Sequence, residues 1–409
     1  MGNLHDVIVI GAGPAGSTAA AFLARRGLDV LLLDKQRFPR DKACGDLIAP
    51  SVITILSELG LRERLEAVSF RVEGVRLTSP SGDRVRVPAP SHPRHPNYAY
   101  LVRRLAFDDM ICRAAVRAGV RFVEGVNVGS VQEERDHTVR VNAQSSNGRV
   151  AHTARVAILA TGSSQPLLQS LGLLPKRPQL AFAARTYFEG VRGLDRDIHI
   201  RFDGVTLPGG GWIFPLASDV ANIGAGFFRR TSRTPANLSA ALSSFLAHPT
   251  IRPLFEGARR LGPVKSYPLR TDFHRARASQ GQVLLVGEAA GLVNPLTGEG
   301  IRYAVESGYL ASQVVADCFL RGDVSPAGLS AYERSLRGRY QRTFELTHRM
   351  RVFYVNPLLL NPMVRACNRW SDLARLVMAV VLSYEDPGRM LRPGILLKAL
   401  RGLRPDRRN

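Results

Sequence analysis

The residues with the clearest chemical role in this sequence are the glycines of two short segments that lie far apart along the chain. Gly11, Gly13 and Gly16 follow an apolar run over residues 7–10, and Gly287 follows a second apolar run. Glycines at such spacings let the backbone turn tightly, approach a pyrophosphate and pack a helix closely against a strand. Two such segments in one chain indicate a single large cofactor held at both ends, as in a flavin enzyme.

The elements around the first segment are those that a nucleotide site needs. Residues 7–10 are rich in β-branched side chains and predict a buried parallel strand. A helix predicted over residues 14–26 directs its N-terminal N–H groups and its dipole at the phosphates. A second predicted strand over residues 29–34 ends at Asp34, about 20 residues beyond Gly11, which is the spacing of a carboxylate that binds ribose hydroxyls. This order of elements predicts a Rossmann-type nucleotide site.

The rest of the chain predicts an α/β fold whose cofactor domain is interrupted. Alternating apolar residues and turn signals predict a β-sheet substrate domain that is inserted into a Rossmann-type FAD-binding domain, and the chain after them is helical in pattern. The predicted parts are a discontinuous FAD-binding domain over residues 1–70, 100–165 and 270–325, a β-rich substrate domain over 71–99 and 166–269, and a helical C-terminal region over 326–409.

The composition predicts a globular protein of the cytoplasm. Of the 409 residues 45% are hydrophobic, and no uninterrupted apolar stretch reaches the roughly 20 residues of a membrane-spanning helix. The first predicted strand begins close to the N-terminus, so we expect no signal peptide. The four cysteines, Cys44, Cys112, Cys318 and Cys367, lack a metal-binding spacing and a disulfide pattern, which favours a reducing compartment without a metal site.

The net charge of +22 raises the question of an acidic partner. Residues 389–408 interleave leucines with basic residues, and a short helix is expected over residues 395–403 because Pro393 and Gly394 interrupt any longer one. Such a stretch can lie on an anionic membrane surface, or it can pack on the protein with its basic face in water. No nucleic-acid motif accompanies the charge, so we expect no nucleic-acid partner. The sequence does not specify an oligomeric state. The basic residues between Met390 and Arg408 that could contact anionic lipid are Arg392, Lys398, Arg401, Arg404, Arg407 and Arg408.

Three parts of the sequence together resemble one known family. The first glycine segment with Asp34, the run PRDKACGD over residues 39–46, and residues 287–301 are similar to the geranylgeranyl reductase family, within the flavoprotein superfamily of the aromatic hydroxylases. The resemblance implies an FAD-dependent oxidoreductase that saturates C=C bonds in the prenyl chain of a lipid, quinone or related isoprenoid. It also implies electrons from NADPH or from a low-potential carrier.

The resemblance also implies roles for individual residues. Glu288 is expected at the ribityl chain, and Gly298 and Gly300 are expected to let backbone N–H groups reach the N1–C2=O edge of the flavin. Cys44 is expected near the flavin as the catalytic proton relay. The implied cofactor-binding set is Gly11, Gly13, Ala15, Gly16, Asp34, Lys35, Cys44, Gly45, Arg104, Gly287, Glu288, Pro295, Gly298, Gly300 and Ile301. The implied substrate-binding set is Trp212, Phe214 and Pro215.

Three residues depart from the family pattern. Glu288 stands where the family usually has aspartate and is one methylene longer. Leu47 replaces a usual glycine and narrows the space at the flavin ring. Gly210 stands where the family motif has a tyrosine, two residues before Trp212. These departures bear on the substrate and the reaction more than on the binding of FAD.

Two other functions fit parts of the sequence. A flavin-dependent monooxygenase that tailors an aromatic or polyketide natural product would consume oxygen in step with its product. Aromatic hydroxylases carry an Asp-Gly pair where this chain has Ala-Thr-Gly at residues 160–162, and flavin halogenases carry Trp-x-Trp-x-Ile-Pro where this chain has GGWIFP at residues 210–215. A flavin-binding or lipid-carrier protein that is not an enzyme would bind FAD without turnover.

Overall fold

The computed structural model describes residues 4–176, 178–227, 237–354, 356–381 and 384–403. Its strands are β1 (Leu4–Ile10), β2 (Val30–Asp34), β3 (Leu47–Ile48), β4 (Phe70–Val72), β5 (Gly74–Thr78), β6 (Arg84–Pro88), β7 (Ala99–Leu101), β8 (Arg121–Glu124), β9 (Asn127–Glu133), β10 (Val139–Ser145), β11 (Gly148–Leu159), β12 (Leu180–Glu189), β13 (Asp197–Arg201), β14 (Gly209–Pro215), β15 (Val220–Phe227), β16 (Arg259–Arg260), β17 (Lys265–Arg270), β18 (Ser279–Gln280) and β19 (Val283–Leu285). Its helices are α1 (Pro14–Ala24), α2 (Pro50–Glu58), α3 (Arg62–Ala67), α4 (Arg104–Arg117), α5 (Pro166–Ser170), α6 (Leu238–Ala247), α7 (Ile301–Arg321), α8 (Pro326–Leu329), α9 (Ala331–Tyr354), α10 (Pro357–Arg369), α11 (Ser371–Val381) and α12 (Pro393–Arg401). Short 3-10 segments cover Arg252–Phe255, Phe273–Arg275, Gly287–Ala290 and Pro387–Leu391.

The first large sheet carries the nucleotide-binding half of the fold. Its strand order is β18-β19-β11-β1-β2-β8, and β10 and β9 extend it beside β11. β1 lies between β2 and β11 and is parallel to both, with Val7 opposite Val30 and Val156. All five side chains of β2 are buried, as expected for the interior of a parallel sheet. The predicted α/β class with a Rossmann-type part is confirmed.

Glycines allow helix α1 to approach the sheet and α7 closely. A Cβ on Gly16 would lie 1.9 Å from the carbonyl oxygen of Gly11. A Cβ on Gly308 of α7 would lie 2.2 Å from the carbonyl oxygen of Ala15. Any larger residue at these positions would push the backbones apart. The contact places the N-terminus of α1 at the carboxyl end of β1.

The second large sheet is mostly antiparallel and is built from the β-rich segments. Its strand order is β16-β12-β15-β14-β13-β5-β6, and β17 also pairs with β12. Trp212 of β14 lies opposite Gly224 of β15, and Phe214 lies opposite Asn222. A third sheet of short strands has the order β3-β7-β4. The strands thus separate into two large sheets, while the domain boundaries given above stay a prediction.

The start of helix α4 differs from the sequence pattern. The pattern of residues 101–118 predicts a helix, but Leu101 ends strand β7, and α4 begins only at Arg104. The reason is tertiary, because Leu101 pairs with Leu47 of β3 and with Phe70 of β4. A strand of three residues has too little alternation to be recognised in the sequence.

The C-terminal region is helical from α8 to α12, as expected. Helices α10 and α11 pack against the β5–β6 hairpin through a core that includes Val87, Leu360 and Val377. Helix α12 begins at Pro393 rather than two residues later, because proline fits the first turn of a helix. Across the part of the chain that the structure describes, no helix is both long enough and apolar enough to span a membrane.

Candidate active site

One cavity of about 1200 Å³ extends from the first sheet past the second sheet to the C-terminal helices. Gly11, Gly13 and Asp34 line its nucleotide end, at the carboxyl ends of β1 and β2. The loop that carries Cys44 and the N-terminus of α7 line it next. The remaining part, here called the apolar arm, is lined by Val75, Leu77, Ile198, Ile200, Phe202, Trp212, Phe214, Phe227, Val377 and Met378.

The nucleotide end has the backbone geometry that a pyrophosphate requires. Gly11 has a φ of +105°, and a Cβ there would lie 2.4 Å from the carbonyl oxygen of Ala160. Gly13 is the N-cap of α1, and no side chain among the described residues caps this helix end. The N–H groups of the first turn are therefore left for a ligand, and the positive end of the helix favours an anion.

Two cations converge beside this helix end. The Nη2 atom of Arg40 lies 3.4 Å from the position of a Cβ on Gly13. Asp108 is fully buried and holds Arg40, with Arg40 Nη1 2.7 Å from Asp108 Oδ2. Arg104 donates to both carboxylate oxygens of Asp108, over 2.6 Å each, and lines the cavity. Asp108 thereby holds Arg40 where its guanidinium can pair with a pyrophosphate. Arg104 binds the same Asp108 carboxylate.

Asp34 lies at the end of β2 with its carboxylate buried in the cavity wall. Its Oδ2 accepts a 2.7 Å hydrogen bond from the backbone N–H of Ala12, and its Oδ1 accepts another of 2.7 Å from that of Gln36. Lys35 lines the same part of the cavity. These bonds fix the carboxylate where a Rossmann-type site binds ribose hydroxyls.

The loop before α7 uses one of its own N–H groups internally. Gly298 lines the cavity, but its N–H donates a 2.9 Å hydrogen bond to the carbonyl oxygen of Asn294 and is not left for a flavin. Gly300 is the N-cap of the 21-residue helix α7, and Gly300, Ile301 and Ala304 line the cavity. The positive end of α7, rather than the N–H of Gly298, is therefore the feature that can stabilise an anionic reduced flavin.

Glu288 joins the two chain segments that border the middle of the cavity. Its Oε2 lies 3.0 Å from the Nζ atom of Lys42, and its Oε1 accepts a 3.1 Å hydrogen bond from the backbone N–H of Arg270. Lys42 belongs to the same segment as Cys44. The carboxylate thus ties the loop after β19 to the segment that carries the candidate catalytic residue.

Cys44 is partly exposed at the cavity wall, whereas Cys112, Cys318 and Cys367 are buried. Burial raises the pKa of the Cys44 thiol, and the nearby Arg104 guanidinium acts in the opposite direction. A raised pKa keeps the thiol protonated at neutral pH, which suits a proton donor better than a nucleophile.

The second sheet contacts the loop that carries Cys44 and fixes its position. Trp212 Nε1 donates a 3.0 Å hydrogen bond to Asn222 Oδ1. Because Oδ1 is engaged in this way, the amide nitrogen of Asn222 faces the loop and donates a 2.7 Å hydrogen bond to the carbonyl oxygen of Cys44. A Cβ on Gly45 would lie 3.0 Å from the Phe214 ring. The aromatic residues of the apolar arm therefore also set the position of the cysteine.

Two of the departures from the family pattern shape the cavity directly. Leu47 lines it beside the Cys44 loop. Gly210 lines the apolar arm, where a Cβ would lie 3.5 Å from the Phe202 ring. A side chain at this position would therefore already contact Phe202, so the Phe202 ring packs beside the backbone where the family motif has a tyrosine.

Four residues of the predicted site lie outside the cavity lining that the described residues form, namely Gly16, Gly287, Pro295 and Pro215. Gly16 and Gly287 serve packing, since a Cβ on Gly287 would lie 3.1 Å from the Cβ of Ala15. Pro215 ends β14 and is buried. All the other predicted cofactor and substrate residues line the cavity.

Several residues that shape this site have no role assigned from the sequence, among them Arg40, Asp46 and Tyr187. Arg40 and Asp46 flank Cys44 within residues 39–46, so their proximity was a usable signal. Tyr187 gave no signal, because it reaches the Cys44 loop only through the pairing of β12 with β15.

Comparison with known proteins connects this geometry to a family. A family described as an FAD binding domain matches residues 5–179. The menaquinone reductase of Mycobacterium tuberculosis is 34% identical over 98% of this chain and 98% of its own. The chain belongs to the geranylgeranyl reductase family of FAD-dependent oxidoreductases. A second relative, digeranylgeranylglycerophospholipid reductase 1 of Methanothermobacter thermautotrophicus, is 32% identical over 81% of this chain and 82% of its own.

Solved structures share the fold. A geranylgeranyl bacteriochlorophyll reductase-like protein from Thermoplasma acidophilum superposes with a TM-score of 0.81 at 21% identity, over 95% of this chain and 99% of that one. The flavin-dependent brominase Bmp2 superposes with a TM-score of 0.75 at 23% identity, over 98% of this chain and 100% of that one. Both likenesses concern the fold alone.

FAD is the cofactor of this family, and the cavity fits it. The glycine cradle at Gly11 and Gly13, the uncapped end of α1 and Asp34 are where the dinucleotide would lie, and the end of α7 is where its ring would lie. Within the described ranges, no three His, Cys, Asp or Glu side chains come close enough to bind a metal ion.

Proposed function

We propose that this protein is an FAD-dependent reductase that saturates C=C bonds in the prenyl chain of a lipid, quinone or related isoprenoid. The observation that carries the proposal is a single cavity whose nucleotide end and apolar arm meet at Cys44. Two relatives are named for menaquinone and for digeranylgeranylglycerophospholipid, which supports this substrate class.

The apolar arm suits a hydrocarbon chain. One wall is the face of β5 and β13 that carries Val75, Leu77 and Ile200, and Met378 of α11 lies in another. Residues two apart on a strand share a face, so these side chains form a continuous apolar surface. A prenyl chain placed there would gain roughly 25 cal/mol for each Å² of apolar surface removed from water. The arm binds and orients the chain and keeps water from the reacting bond.

The proposed chemistry adds two protons and two electrons, which together are two hydrogen atoms, across an isolated C=C bond. Bound and reduced FAD would supply the electron pair together with one of the protons. The Cys44 thiol gives the second hydrogen, as a proton, to the other carbon. The backbone N–H of Asp46 donates to the sulfur over 3.4 Å, and the charge of the nearby Arg104 lowers the pKa of the thiol.

The electrons that reduce the FAD would come from NADPH or from a low-potential carrier. The sequence has its GxGxxG pattern at Gly11, where the FAD pyrophosphate is assigned. A nicotinamide donor would therefore bind without a second Rossmann site, and a protein carrier would deliver electrons at the surface.

A flavin-dependent monooxygenase is the second candidate, because the brominase shares the fold. An anaerobic experiment separates the two. Enzyme reduced with dithionite is mixed with a geranylgeranylated glycerol lipid, which has no quinone ring that could itself accept the electrons. A reductase re-oxidises its flavin with this lipid and not with the saturated-chain analogue. A monooxygenase leaves the flavin reduced until oxygen is admitted.

We also propose a peripheral contact with anionic membranes through α12. Leu396, Leu397, Leu400 and Leu403 recur at helical spacing and are exposed, while Ile395 packs toward the core. This exposure favours the membrane alternative over a helix whose leucines cap the core. The exposed Arg392 and Arg401 add about 1 kcal/mol each at an anionic surface, whereas Lys398 pairs with Asp372. Of the basic residues considered above, Arg404, Arg407 and Arg408 lie outside the described residues.

Vesicle co-sedimentation tests this contact. Wild-type protein should bind vesicles that contain anionic lipid, bind less at high salt because the charges are screened, and lose binding in the double variant Leu396→Glu/Leu400→Glu. Deletion of residues 390–409 should act in the same direction. Leu320→Glu is the matched control, because Leu320 on α7 is 88% exposed and outside this face. Equal binding to neutral vesicles, or unchanged binding of the double variant, would show that α12 does not mediate binding to anionic membranes.

A further inference from the structure

A buried carboxylic acid lies two residues beyond Cys44. Asp46 is completely buried and has a φ of 67°, in the left-handed region that residues other than glycine rarely adopt. Such a conformation persists only where the surroundings hold it, and it is common at functional sites. Here the backbone is held on both sides, since Asp46 accepts a 3.1 Å hydrogen bond from the N–H of Val102 and donates to Cys44 Sγ.

The two oxygens of this carboxyl group have different surroundings. Oδ2 accepts a 2.9 Å hydrogen bond from the Tyr187 hydroxyl and a 2.8 Å hydrogen bond from Asn222 Nδ2. Oδ1 is buried without a hydrogen-bond partner among the described residues. Two donors therefore fix one oxygen, and the other oxygen can carry a proton. Asn222 donates both to Asp46 and to the carbonyl oxygen of Cys44, so it links the acid to the cysteine.

Burial permits Asp46 to hold a proton at mildly acidic pH. Burial raises the pKa of Asp46 to about 6, although the hydrogen bonds from Asn222 and Tyr187 and the charges of Arg185 and Arg104 act in the opposite direction. These groups come from β15, β12 and α4, and Cys44 faces Asp46 from its own loop. Since burial also raises the pKa of the Cys44 thiol, a proton moves favourably from the acid to a Cys44 thiolate.

We propose that Asp46 is the buried acid that returns a proton to Cys44 after each reduction. The inference rests on the proposed function, in which the Cys44 S–H bond breaks, its proton goes to carbon and its electron pair stays on sulfur. The O–H bond of Asp46 then breaks and the S–H bond forms again. The resulting carboxylate keeps its hydrogen bonds from Tyr187 and Asn222, and water reprotonates it before the next turnover. The other proton and the electron pair would be supplied by reduced FAD.

The pH dependence of turnover tests the role of the acid. Wild-type turnover should fall as pH rises through about 6, because Asp46 loses its proton there. Asp46→Asn keeps the shape and an acceptor for Tyr187 but cannot give a proton. It should be slower than wild type by about 10-fold or more at pH 5.5, and the two rates should converge above pH 8.

Tyr187→Phe provides a second variant with a different direction of change. It removes a hydrogen bond that lowers the pKa of Asp46, so the fall in turnover should move to higher pH. A variant that only destabilised the fold would lower turnover at every pH and would not shift the pH at which turnover falls.

A readout independent of turnover is the alkylation of Cys44 in the FAD-loaded protein. The rate with iodoacetamide follows the thiolate fraction and is measured on the Cys44 peptide by mass spectrometry. The Asp46 carboxylate disfavours the Cys44 thiolate, so Asp46→Asn should shift the alkylation profile to lower pH. The peptide of the buried Cys112 is the internal control.

The activity of the wild-type protein distinguishes a wrong role for Asp46 from a wrong proposed function. Wild-type protein that saturates no prenyl chain would overturn both. If wild type is active, an Asp46→Asn enzyme that equals it at pH 5.5, or that is slower by the same factor at every pH, overturns this inference alone. An unshifted alkylation profile in Asp46→Asn does the same.

Discussion

Replacement of Gly13 by glutamate should yield a folded protein that no longer binds FAD. Gly13 is the N-cap of α1, and Arg40 Nη2 lies 3.4 Å from the position of its missing Cβ. A glutamate there would put a carboxylate where the pyrophosphate must approach and would satisfy Arg40 in its place. We expect the flavin absorbance of the purified protein to fall from one FAD per chain to none.

The matched control is Gly338→Glu. Gly338 lies on the exposed side of α9, and among the described residues no atom beyond its chain neighbours and its own helix backbone lies within 4 Å of a Cβ built there. This variant makes the same change in charge and size and should keep its flavin. A Gly13→Glu protein that unfolds like wild type and is still yellow would contradict the pyrophosphate assignment. FMN in place of FAD would also contradict it, because Asp34 would have no adenosine ribose to bind.

Replacement of Cys44 by alanine should leave FAD in place and slow turnover by about 100-fold or more. That factor is the usual effect of losing a general acid that protonates the reacting atom. FAD should remain because the pyrophosphate contacts assigned to Gly13 and Arg40 do not involve the sulfur. The measurement is the rate of saturation of a prenyl chain by pre-reduced enzyme, so that the electron donor does not limit it.

Cys112→Ala is the control for the general effect of removing a thiol. Cys112 is buried in α4 and does not line the cavity. It should lower stability by a small amount and leave the rate unchanged. If Cys44→Ala turned over as fast as Cys112→Ala, Cys44 would be a packing residue and the proton would come from elsewhere.

The residues predicted for the nucleotide end of the site lie together in the cavity wall because their requirements are local. Gly11 and Gly13 act through the backbone of their own turn, and Asp34 ends the neighbouring strand, so spacing alone places them. The N–H of Gly298, by contrast, donates to the carbonyl oxygen of Asn294 within its own loop. The spacing of residues along the chain does not reveal which backbone N–H groups form hydrogen bonds within a loop.

The parts that the sequence did not predict depend on contacts between distant segments. Tyr187 meets Asp46 only because β12 pairs with β15, which brings Asn222 to the same loop. Arg40 is directed by Asp108, which lies on α4 and gives no signal in the segment around Cys44. The role of α11 in lining the apolar arm follows from its packing on the second sheet, not from a motif.

The most direct test of the central claim is the mass of the product formed without oxygen. Reduced enzyme is incubated anaerobically with a panel of geranylgeranyl lipids and prenyl quinones, and the products are analysed by mass spectrometry. The account predicts a gain of about two mass units for each saturated bond, from two added hydrogens, and the same product when oxygen is present. A product that forms only with oxygen and carries an added oxygen atom would contradict it.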